Sequence, residues 1–190
     1  MMKQSGNIHI KMPHLLLIAG NGRNVGKTLV ACKIIEYFSQ STEVTGLKIS
    51  PHFHQVTESD ILFSNEHFII TNEKQINSKD SSLMLQAGAK EVFFVMVKPG
   101  FIAEAFEKLL PFLPKTPIVC ESGQLHEVVT PGLFLFVKRA GDEIVKPEYL
   151  KHSPLIINND GNYFDFDIQN IQFENKGLNL IPEKWESLKR

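Results

Sequence analysis

The strongest constraint on this chain is a glycine-rich loop set between two apolar runs of different character. Residues 15–19, Leu-Leu-Leu-Ile-Ala, are apolar without alternation, as in a parallel strand buried on both faces. Residues 29–38 are apolar apart from Lys33 and Glu36, which leaves a helix one narrow wet face. Between the runs lie Gly20, Asn21, Gly22, Arg23, Asn24, Val25, Gly26, Lys27 and Thr28. Glycines there let successive backbone amides turn inward around phosphate oxygens, and a helix starting near Lys27 aims its positive dipole end at them. Lys27 would reach the outer phosphates, and the Thr28 hydroxyl suits Mg²⁺, which takes hard oxygen ligands. The expectation is a site for a nucleoside triphosphate, GTP or ATP, with Mg²⁺, built from these nine residues. The usual P-loop spacing puts a glycine five residues before Gly26. Asn21 stands there, flanked by Gly20 and Gly22, so the loop reads as one residue longer.

The rest of the chain alternates strand and helix signals. Residues 1–13 are polar and read as irregular. Strands are expected at 44–49, 91–97, 117–121, 133–137 and 155–157, and helices at 79–88 and 102–112. The helix at 79–88 is expected to be capped near Asp80 or Ser78 and stopped by Gly88. The stretch 50–79 is polar and histidine-bearing, with a short strand at 68–71. In the tail, Phe164, Phe166 and Ile168 alternate and suggest an edge strand. This order, with few hairpin signals before residue 130, predicts an α/β protein of three layers, a P-loop NTPase fold around a mainly parallel central sheet. The 190 residues, 43% of them hydrophobic, suit one domain over 1–190.

Twenty basic and 21 acidic residues give a net charge of -1, which argues against broad capture of nucleic acid or an anionic membrane. The apolar run before the loop is too short to span a membrane and lacks a signal-peptide flank, so a cytoplasmic location is expected. Cys32 and Cys120 lie in apolar runs and read as buried hydrophobes.

Several ordered blocks carry a resemblance. The loop is followed by Thr45-Gly-Leu-Lys48 leading to His52 and His54. Next come Lys79-Asp80-Ser81 and, five residues on, Ala87-Gly88-Ala89, and finally Pro117-Ile-Val-Cys-Glu121-Ser-Gly123. Over about residues 14–137 the chain resembles the molybdopterin-guanine dinucleotide biosynthesis adaptors, MobB, small GTP-binding P-loop proteins of the SIMIBI group. The resemblance implies a homodimer that helps the molybdenum-cofactor nucleotidyltransferase attaching GMP to molybdopterin. Gln55 stands where that family has an aspartate, Ser122 interrupts its glutamate-glycine pair, and the loop spacing is similar to that of dethiobiotin synthetase, an ATP-using ligase.

Glu121 ends a buried strand, at the edge where open parallel sheets bind ligands, and could hold Mg²⁺ through water or orient an attacking water. Asp80 matches the family block and is a second catalytic candidate, although an aspartate before a helix also serves as a cap. His52 and His54, with Glu58, Asp60 and His67 near them, read as a nucleotide or client contact rather than a closed zinc pattern. Asn158 and Asn159 could read a base, and Arg23 could touch a phosphate. Two functions follow: a nucleotide-loaded adaptor with at most slow hydrolysis, or an ATP-dependent ligase or kinase of a small metabolite. An enzyme needs convergent polar groups beside the γ-phosphate, whereas an adaptor does not.

Overall fold

A computed structural model of the protein describes residues 9–74 and 81–181. Its central sheet has eight strands, in spatial order β3-β4-β5-β2-β6-β1-β7-β8. These are β1 (Ile10–Gly20), β2 (Thr45–Ser50), β3 (Ile61–Ser64), β4 (Phe68–Glu73), β5 (Glu91–Val97), β6 (Ile118–Ser122), β7 (Val129–Arg139) and β8 (Leu155–Asn159). All neighbours from β5 across to β8 pair in parallel, while β3 and β4 join antiparallel at one edge. The chain is an α/β protein with a mainly parallel sheet, as the alternation of signals predicts.

The apolar runs lie inside because both sheet faces are covered. Leu16 and Ile18 of β1 share one core with Val30, Ala31, Ile34, Ile35 and Phe38 of α1 (Lys27–Ser39), and Met84 of α2 (Ser81–Gln86) joins them. Leu15, Leu17 and Ala19 face the other way, toward Ile102, Ala105, Phe106 and Leu109 of α3 (Ile102–Leu109). Strand residues alternate between faces, so a strand buried on both must be apolar at every position. Burial of each such Leu or Ile contributes about 1.5–3 kcal/mol.

Three segments differ from the sequence reading. The first strand begins at Ile10, not Leu15: residues 10–12 pair with 129–131 of β7 before a register shift in β1. Residues 58–73 form a turn of 3₁₀-helix and the β3–β4 hairpin, of which only the strand at 68–71, observed as β4, was expected. The hairpin's signal was Asn65, whose Oδ1 accepts from the amides of His67 and Phe68, both at 2.8 Å, and so turns the chain. In the tail, Phe164, Phe166 and Ile168 pack against the α1 side of the sheet, and Phe164 meets Asn159 in a single bridge. The tail strands come later, as a separate antiparallel ribbon of β9 (Ile171–Glu174) and β10 (Gly177–Leu180). Asn175 and Lys176, at φ 51° and 62°, make the turn between them. The expected cap at Asp80 or Ser78 lies outside the described residues.

Candidate functional site

The strand order brings three chain segments to one edge. β1 lies between β6 and β7, so the loop after Gly20 sits beside the carboxyl ends of β6, which carries Glu121, and of β7. β2 flanks β6 on its other side and pairs Lys48 with Glu121. Parallel strands end together, so these side chains meet in one crevice.

Backbone geometry shapes the loop. A Cβ on Gly20 would come within 2.9 Å of the Val137 carbonyl, and one on Gly26 within 2.6 Å of Asn159 Nδ2. Gly26 also has φ 102°, a left-handed conformation that disfavours any side chain, and it forms the N-cap of α1 with no side-chain hydrogen bond. The first turn of α1 holds Lys27 and Thr28 and no acid. A lysine at the positive end of a helix is unfavourable unless an anion is bound there.

Around this helix start opens a cleft of about 760 Å³. Its lining carries four cationic side chains, Arg23, Lys27, Lys48 and Lys146, and one carboxylate, Glu121. Lys27 Nζ donates to the Gly22 carbonyl at 2.6 Å. Burial lowers the Lys27 ammonium from its ordinary pKa; Glu121 opposes that shift, while Lys146 and Lys48 add to it. Thr28 Oγ1 donates to Glu121 Oε2 at 2.7 Å, and Lys48 Nζ lies 3.5 Å from the same oxygen. At the cleft mouth Arg23 donates to Nε2 of His52 at 3.0 Å, which requires the neutral imidazole.

The nine loop residues divide in two. Gly20, Gly22, Arg23, Asn24, Gly26, Lys27 and Thr28 line the cleft, whereas Asn21 and Val25 turn their side chains into the protein. Asn21 is only 7% exposed; its Nδ2 donates to the Glu143 carbonyl at 2.7 Å and its Oδ1 accepts from the Val145 amide at 2.8 Å. Those bonds hold the connection after β7 against the loop, one residue before Lys146. The position without the usual glycine is therefore a structural anchor. Sequence reasoning missed Lys146, for which no local signal exists, and gave Lys48 no chemical role, although it pairs with Glu121 two residues before the end of β2.

The other candidates are dispersed. Asp80 lies outside the described residues. His54 stacks on Phe94 at 4.9 Å and His67 on Phe101 at 3.7 Å, neither in the cleft. Among the described residues no group of His, Cys, Asp and Glu is arranged to hold a metal by itself. Asn159 Nδ2 donates to the Val25 carbonyl at 2.9 Å, and Asn158 Nδ2 to Asp165 at 2.6 Å, so both amides brace the fold. Cys120 is fully buried, and burial pushes its thiol pKa well up. No helix among the described residues is long and apolar enough to cross a membrane.

Comparison with family models, with curated proteins and with solved structures returns no match.

Proposed function

We propose that this protein binds a nucleoside triphosphate with Mg²⁺ in the cleft at the start of α1. The observation that carries the reading is the meeting of an uncapped helix N-terminus with Lys27, Thr28 and Glu121 in a crevice holding four cations against one carboxylate. Phosphate oxygens would take the α1 amides and Lys27. Mg²⁺ fits the residues present: the Thr28 hydroxyl and the Glu121 carboxylate offer hard oxygens 2.7 Å apart, so Thr28 would hold the ion and Glu121 one of its waters. The ion would supply charge neutralisation on the outer phosphates. Glu121 works through water, because a bare carboxylate against phosphate is repelled, and Lys48 holds that carboxylate in place.

At the level of pathway, the resemblance supports a GTP-binding MobB-like adaptor, acting as a homodimer beside a molybdenum-cofactor nucleotidyltransferase in the cytoplasm. A second reading, an ATP-dependent ligase or kinase, is favoured by a specific observation: Lys48, His52 and Lys146 converge on the cleft that holds Lys27. Convergent polar groups beside the terminal phosphate are what an acceptor substrate requires.

A panel of ATP and GTP with Mg²⁺, read by thermal shift and by phosphate release, tests the reading. Glu121→Gln is expected to change affinity by less than about tenfold, or about 1.4 kcal/mol, while turnover falls further. Wild-type turnover in that variant would make Glu121 a mere loop cap. Preference for GTP together with a doubled mass in light scattering supports the adaptor. Preference for ATP supports the ligase.

A further inference from the structure

A second cavity, of about 500 Å³, lies at the opposite edge of the sheet, against the first half of β7 and the start of β8. Gly132, on its wall, lies seven steps along β7 from Arg139, which ends the strand at the loop edge, a span of about 23 Å. Among the described residues none lines both this cavity and the triphosphate cleft.

Its wall contains a buried polar group without a partner. His126, only 7% exposed, packs its ring against Tyr149 at 4.4 Å and edge-on to His152 at 4.9 Å. Its Nδ1 meets no hydrogen-bond partner among the described residues. Leaving such an atom unpaired costs about 1–3 kcal/mol, and because it is sealed from the cavity a ligand there meets the face of the His126 ring rather than this nitrogen. The ionisable side chains on the wall are His126, Lys151 and His152, with no carboxylate among them, and the remaining lining includes Phe134, Leu155 and Leu180. Ser153, on the same wall, sits at φ 50°, an uncommon conformation for a residue with a side chain.

We propose that this cavity binds a small organic anion with an apolar body, such as an aromatic or medium-chain carboxylate. The carboxylate meets Lys151 and His152, and the body lies against His126, Phe134 and Leu155. Burial, with His152, His9 and Lys146 adding and Glu148 opposing, pushes the His126 imidazole down to about 4, so it is neutral at pH 7 and presents an uncharged ring to the apolar body.

The test follows the ring signals of His126 and His152 by NMR in the full-length protein at pH 6.5 during titration with benzoate. Benzyl alcohol, which keeps the body and removes the charge, and acetate, which keeps the charge and removes the body, are run alongside. Saturable movement of the His126 signals with benzoate is expected, with both controls weaker by about tenfold or more. Lys151→Gln, at an exposed position, is expected to weaken benzoate while leaving the thermal shift with Mg²⁺-nucleotide unchanged. Equal binding of benzyl alcohol would overturn the anion assignment, and equal binding of acetate the apolar subsite. A silent His126 at saturating benzoate would remove the site.

Discussion

Gly26 carries two constraints at once, a left-handed backbone at φ 102° and an Asn159 amide 2.6 Å from where a Cβ would stand. Gly26→Ala is therefore expected to destabilise the protein by about 1–3 kcal/mol and to weaken triphosphate binding with it, read by urea unfolding and calorimetry. Lys27 gives a pH prediction. Burial lowers its pKa in the free protein, so the cost of burying its charge is full below that lowered value and is relieved as pH rises from there to the ordinary lysine value. A bound phosphate favours the charged form and raises the pKa again. Triphosphate affinity should be flat near neutrality and fall as pH climbs through the lowered pKa, with proton uptake seen as buffer-dependent heat in alkaline titrations. The residues nearest the proposed chemistry were legible because Lys27, Thr28 and Glu121 belong to a contiguous motif and a strand end. Lys146 was not, since its place depends on the Asn21 side chain folding a distant connection onto the loop.

Among the elements, α1 ties the loop to the sheet. Val30, Ala31, Ile34, Ile35 and Phe38 recur at helical spacing and are all buried, and Ile34 is fully so. Ile34→Ala is expected to cost about 2–5 kcal/mol, visible as a lower denaturant midpoint with little change in its slope. Where elements were read correctly, as with β5 over 91–97, a long apolar run forced burial on both faces. β4 was anticipated at 68–71, but its partner β3 escaped because that four-residue strand is half-buried at alternate positions among polar neighbours, and the turn between them rests on one asparagine side chain. In the tail, the alternation of Phe164, Phe166 and Ile168 was real, but it comes from side chains packing on the α1 side rather than from sheet pairing.

For the molecule as a whole, the near-zero net charge conceals a local imbalance, because 20 basic and 21 acidic residues leave four cations facing one carboxylate in a single cleft. That concentration at the carboxyl edge of a parallel sheet links the fold to the proposed function. The most direct measurement is a calorimetric titration of Mg²⁺-ATP and Mg²⁺-GTP into the wild-type protein and into Lys27→Ala, whose fold is checked by circular dichroism. The prediction is saturable one-to-one binding of at least one nucleotide to the wild type and loss of most of that affinity in the variant, with its spectrum unchanged. Binding unaltered by the substitution, or no heat with either nucleotide at millimolar concentration, would contradict it.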